Sequence, residues 1–206
     1  MKLLTERERE EITQAIKEAE KQTSCEFVVA EISNCDDYNS ARFIWGIITA
    51  FVSAFSAYFI HHITVIHFVL IELIGFAVGF FLISRISTIK RWMIPRRKME
   101  SEAHYRALAE FYQHGLYKTR EENGILIALA IFERMVVVLG DKGVHNKVPA
   151  DYWEKIKEKV IAGIKHDNAG SAIIKVIKSC ADDLKNQFPV KPDDKNELSD
   201  IVITEK

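Results

Sequence analysis

Apolar residues dominate from Phe43 to Ile83, interrupted midway by His61 and His62, inside a chain whose two ends show short, regular apolar patterns. One membrane span takes about 20 mostly apolar residues. The stretch therefore predicts two spans, Phe43 to Ile60 and Ile63 to Ile83, joined as a hairpin. Two spans return the chain to the side it left, so both flanks are predicted to fold together as one domain. In the first flank, Thr5-Glu6-Arg7-Glu8 places a hydroxyl and a carboxylate three residues apart, where each can satisfy the other's exposed amide and open a helix. Ile12, Ala15, Ile16 and Ala19 continue it at helical spacing to about Lys21. The short β-branched run Glu26 to Ile32 reads as a strand.

After the spans, Arg96 to Leu116 is rich in Ala, Glu, Leu and Arg and predicts a second helix. Gly124 to Phe132 and Met135 to Leu139 are apolar runs separated by Glu133-Arg134, which suggests a β-hairpin, although that pair lacks the glycine or asparagine of a tight primed turn. Gly140 to Gly143 reads as a turn. Pro149-Ala150-Asp151 opens a third helix, with Trp153, Ile156, Val160 and Ile164 on one face. A last helix, from about Ser171 to Phe188, aligns Ile173, Ile177, Cys180, Leu184 and Phe188. The expected fold is α/β: a layered sandwich of a small mixed sheet covered by amphipathic helices, with the two-helix transmembrane hairpin inserted. Its parts are a split domain over 1–42 and 99–190, the hairpin over 43–84, a basic connector over 85–98, and a polar tail over 191–206 expected to be poorly ordered.

Charge adds an orientation. Arg85, Lys90, Arg91, Arg96, Arg97 and Lys98 follow the second span, whereas the connection between the spans offers only histidines. Positive residues near span ends mark the cytoplasmic side, and the same six can grip anionic headgroups. The expectation is an integral protein of a bacterial inner or plasma membrane, its folded domain facing the cytoplasm. The N-terminal segment lacks the apolar core of a signal peptide. Twenty-eight Lys and Arg against 29 Asp and Glu give a net charge of −1, which excludes the strongly basic class of nucleic-acid binders. Cys25, Cys35 and Cys180 share no spacing that makes a disulfide framework or a metal knuckle.

Certain segments, taken in order, resemble a known family. They are Leu4-Thr5 opening a helix, the Cys25-Glu26-Phe27-Val28-Val29 strand, and the Thr119 to Asn123 approach to Gly124-Ile125-Leu126-Ile127. Glu133-Arg134 before Val136-Val137-Val138 follows, then Gly140-Asp141-Lys142-Gly143-Val144, Trp153, and the final helix ending at Phe188-Pro189. Together they resemble the TPM domain family, over about Leu4 to Pro189 without the spans. The resemblance implies an α/β fold and three candidate roles: an accessory part in assembling or repairing membrane complexes, divalent-cation binding, and a weak acid phosphatase activity. The chain differs from better-known members in carrying its anchor inside the domain.

Asp141, at the end of an apolar strand, is the foremost site candidate, because ligands collect where loops leave a sheet. With Glu26, Glu122 or Asn123 it could hold calcium or another divalent cation, which takes six to eight oxygen ligands. The alternative is a turn aspartate satisfying its own amides. Phosphate chemistry needs a nucleophile or a metal-activated water, and neither a Cys-x5-Arg loop nor an Asp-x-Asp pair is present. The expected function is a non-enzymatic accessory, assembly or scaffold factor for a membrane complex; the alternative is a cation-dependent acid phosphatase acting on phosphate monoesters. Inside the second span, Glu72 demands a partner, with Ser53 or Ser56 across the hairpin or a neighbouring subunit as candidates. Gly75 and Gly79 permit close helix approach. The expected partners are the lipid bilayer and a membrane protein or a second copy.

Overall fold

The computed structural model describes residues 3–59, 64–83, 85–166, 168–191, 196–198 and 202–205. In chain order its elements are α1 (Glu6–Glu20), β1 (Glu26–Ile32), α2 (Asn39–Tyr58), α3 (Val65–Ile83), α4 (Ser87–Met93) and α5 (Arg96–Gln113). A 3-10 turn (Leu116–Lys118), β2 (Gly124–Ala130), β3 (Met135–Gly140), α6 (Lys142–His145), α7 (Tyr152–His166), α8 (Ala169–Leu184) and β4 (Ile203–Glu205) follow. They form two compact units, one of Met1–Cys35 with Glu100–Lys206, the other of Asp36–Met99.

The first unit is a mixed four-stranded sheet in the order β3-β2-β1-β4. β1 runs parallel to β2, from Glu26 opposite Gly124 to Ile32 opposite Ala130, and β3 returns antiparallel. All seven residues of β1 and of β2 are buried, as expected of central parallel strands covered on both faces. Alternation sorts them. Phe27, Val29, Ile125 and Ile127 pack with Ile12 and Ile16 of α1, Ile156 and Val160 of α7, and Ile173 and Ile177 of α8. Val28, Ala30, Leu126 and Ala128 face the other way, onto Ala107 and Phe111 of α5 and Leu116. The layered α/β architecture is the expected one, and α1 starts as its sequence requires: Thr5 Oγ1 accepts from Glu8 N, and Glu8 Oε2 accepts from Thr5 N at 2.8 Å.

Two local features differ from the sequence reading. The β2–β3 connection has four residues, because Ile131 and Phe132 leave the ladder and donate instead to Ile32 O and Ser33 O. Arg134 then turns in the left-handed region at φ 56°, which turns Glu133 inward, where it is 3% exposed. The tail, expected to be loosely held, supplies β4, which pairs parallel with Ala30 to Ile32 of β1.

In the second unit, α2 and α3 are 20 and 19 residues long and apolar enough to cross a membrane. They pack against each other through small residues. A Cβ on Gly79 would run into Thr49 Oγ1, and one on Gly75 into Ser53 Oγ. The predicted glycine step therefore lies inside the hairpin. Phe51, Phe55, Leu73 and Phe81 point outward, between 60% and 72% exposed. His61 and His62, expected in the connecting turn, lie outside the described residues. The basic connector forms α4, and Lys90 and Lys98 each place an ammonium 5.6 Å from the ring centroid of the buried Tyr38.

Candidate functional site

One end of the sheet gathers the residues singled out by sequence. Glu26 begins β1, Asn123 and Glu122 precede β2, and Asp141 follows β3. Asp141 N donates to Gly124 O at 2.9 Å, and Glu26 stands opposite Gly124 in the register. Glu26, Gly124 and Asp141 thus form one row across three strands. Two strand spacings separate the outer pair by roughly 10 Å at the backbone. Leu116 fills the place over Gly124, since a Cβ there would meet Leu116 O at 2.6 Å. The two carboxylates consequently flank a turn of backbone and apolar side chain.

Each candidate has a local task. Asp141 caps α6: its Oδ1 accepts from Lys142 N at 2.8 Å, and its carbonyl accepts from His145 N. Asp141 Oδ2 is buried without a hydrogen-bond partner among the described residues. Glu122 is exposed at φ 52°. Its carbonyl accepts from Val144 N, and Gly143 packs so closely that a Cβ would lie 2.6 Å from Glu122 O. Its contribution is backbone. Glu26 Oε1 accepts from Glu197 N at 3.1 Å and ties the tail to β1. Structure brings the three to one end of the sheet without bringing them together. Among the described residues, no group of three or more His, Cys, Asp or Glu side chains could hold a metal ion.

The residue at the centre of this end is Asn123, which the sequence reading named only as an accessory to Asp141. It is 4% exposed. Its N–H donates to Thr119 Oγ1 at 3.0 Å, its side-chain amide donates to Ser24 O, and its carbonyl accepts from Glu26 N. Ser24 in turn donates from its backbone to Phe188 O at 2.9 Å, and Thr23 Oγ1 donates to the same carbonyl. Ser24 Oγ donates to Glu121, which also pairs with Lys191. These bonds knit the start of β1, the approach to β2 and the end of α8 to one another. A cleft of about 540 Å³ opens beside them, lined by Lys17, Glu20, Thr23, Ser24, Glu26 and Asn196 among others.

Three further carboxylates are buried elsewhere among the described residues. Glu31, on β1, is 0% exposed and receives Arg9 of α1 together with the amides of Leu3 and Leu4. Glu110, also 0% exposed, lies between Arg106 of α5 at 3.0 Å and His114, just past the end of that helix, at 3.2 Å. Glu133 Oε1 accepts from Cys35 N at 3.0 Å. Burial, and then the Glu133 carboxylate, push the Cys35 thiol far above its ordinary range. Burial likewise lifts Cys25 to about 12 and Cys180 to about 11. At neutral pH all three are thiols, which are poor nucleophiles compared with thiolates.

Glu72 sits near the middle of α3, half-buried at the edge of the seam with α2. Neither expected hydroxyl reaches it. Ser53 Oγ donates to Ala50 O at 2.8 Å, with Ile71 O at 3.4 Å, and Ser56 Oγ donates to Val52 O at 2.8 Å. Small hydroxylated residues in apolar helices commonly satisfy themselves on the preceding turn.

Comparison with known proteins gives one family and one fold likeness. The family model described as TPM domain matches residues 87–183. No curated protein matches the chain. The solved NMR structure of BA42 protein from the psychrophilic bacterium Bizionia argentinensis sp. nov. is similar in fold, with a TM-score of 0.60 at 21% identity, covering 98% of this chain and 94% of that one. The family match begins in α4, so β1, which lies before it, completes the sheet from outside the matched segment. Residues 87–183 are thus similar to the TPM domain, within the expected α/β fold.

Proposed function

We propose that this chain is an integral membrane protein whose TPM domain is held at the cytoplasmic face of a plasma membrane by the α2–α3 hairpin, where it acts as a non-enzymatic accessory or assembly factor for a membrane-protein complex. One observation carries the reading: two helices of spanning length, inserted between β1 and α5, turn large apolar side chains outward along their whole length. Such a surface far exceeds the isolated apolar patches of soluble proteins. The six basic residues over 85–98 support the cytoplasmic orientation. Trp92, 86% exposed beside Arg91, suits the headgroup layer, where tryptophan concentrates. The accessory role is supported by the polar end of the sheet, where Thr23, Ser24, Glu26 and Asn123 hold chain segments together.

Alkaline carbonate extraction of membranes from expressing cells tests the anchor: the chain stays in the pellet, and release into the supernatant overturns the reading. Purification in mild detergent tests the role. The expected result is a membrane protein recovered in fixed ratio with the chain. Hydrolysis of a phosphate monoester by the pure chain, abolished in Asp141→Asn, would instead establish the phosphatase alternative.

A further inference from the structure

The α2–α3 seam uses up its small residues and both candidate hydroxyls, yet leaves one carboxyl unspent. Gly75 and Gly79 close on Ser53 and Thr49. Glu72 lies one turn before Gly75 and Phe76, at the edge of the same face, level with the Ser53 to Ser56 segment. Both serine hydroxyls donate to backbone carbonyls, Ser53 mainly to Ala50 O and Ser56 to Val52 O. Among the described residues the Glu72 carboxyl has no hydrogen-bond or ion-pair partner. An ion left alone in hydrocarbon is strongly disfavoured, and a lone acid group there still lacks partners for its donor and acceptor.

From this geometry we infer that two copies of the chain pair through their hairpins, Glu72 against Glu72. The inference rests on the membrane reading above. A carboxyl in its acid form carries one donor and one strong acceptor, so two of them satisfy each other completely. A two-fold axis places the same residue of each copy face to face, which makes the second copy the partner whose chemistry is already matched. Ser56 adds to the match: it is exposed, and its oxygen keeps acceptor capacity after its proton is given to Val52 O. Only a quarter or less of each apolar helix is buried within the hairpin, 17% of α2 and 11% of α3. Ample surface remains for a second hairpin.

The test uses the full chain, fused to a fluorophore and reconstituted into phosphatidylcholine vesicles, with pairing followed by energy transfer as the lipid is diluted. Wild type pairs. Glu72→Gln also pairs, because an amide is again donor and acceptor, whereas Glu72→Leu dissociates at roughly tenfold higher protein-to-lipid ratio, the size of one interhelical hydrogen bond in a membrane. A wild-type chain that floats with the vesicles yet stays single at every dilution overturns the pairing and leaves the anchor standing. Failure to float overturns the anchor itself. Equal pairing by Glu72→Leu, or its normal pairing with loss of another co-purifying protein, also overturns self-pairing through Glu72.

Discussion

At the residue scale, buried charge is where this domain is most sensitive. The Glu31 side chain is 1% exposed and that of Arg9 is 12% exposed. Removing one member of a buried pair strands the other, so Glu31→Ala should lose about 3–5 kcal/mol, while Glu31→Leu combined with Arg9→Met should recover most of it. Denaturant unfolding of the four-member cycle measures both, and a Glu31→Ala loss below about 1 kcal/mol would show that the pair is solvated in practice. The buried thiols add a pH dependence. Burial raises the folded-state values of Cys25 to about 12 and Cys180 to about 11, against an ordinary 9.0. The folded state therefore keeps these protons longer than the unfolded chain. Stability is unaffected by them below about pH 9, then falls as pH rises toward 11, by up to about 1.4 kcal/mol per pH unit for each thiol. Cys25→Ala with Cys180→Ala, compared by the slope of stability against pH between 9 and 11, should flatten that fall even though the smaller side chains lower stability overall.

Elements with strong local codes were legible in the sequence, and those set by tertiary contacts were not. The Thr5–Glu8 capping pair placed the start of α1, and the β-branched run 26–32 is β1 residue for residue. Asp141 was readable as a polar residue at a strand end, but its task as the cap of α6 depends on a short helix, Lys142–His145, whose start the pattern showed only as a turn. Glu122 and Gly143 meet through backbone, which side-chain chemistry does not announce. β4 was missed because three residues in a polar tail carry no periodicity, and their strand conformation comes from the open edge of β1. Asn123 was underrated for a similar reason: two of its three bonds go to Ser24 and Glu26, about a hundred residues away in sequence. Two element-level outcomes follow. Asp141→Ala should cost about 1 kcal/mol, the usual value of an N-cap, as read by thermal unfolding. In the hairpin, Gly79→Ala should destabilise the detergent-solubilised chain by about 1–3 kcal/mol through the clash with Thr49. Thr49→Ala added to it should restore part of the loss, because the coupling is direct. Additive effects would mean that α2 and α3 separate at that level instead of touching.

At the scale of the whole molecule, the core clusters of the sheet domain include none of the described residues of the apolar stretch that dominates the sequence. Among the described residues, both core clusters, one on each face of the sheet, draw on residues 4–35 and 107–203. The hairpin is therefore an insertion carried by a domain that already closes its own interior, with about 140 residues, enough for one core. Its solubility and its folding should be separable. Replacing Asp36–Met99 by a short Gly/Ser linker should yield a chain that stays in solution without detergent and unfolds in one cooperative step. The cost in the unfolded state is small, since closing a shorter loop changes the entropy only with the logarithm of its length. Circular dichroism and denaturant titration of the shortened chain check this. A molten or aggregated product would mean that residues 36–99 complete the core after all, and the hairpin would then have to be regarded as part of the fold instead of its tether.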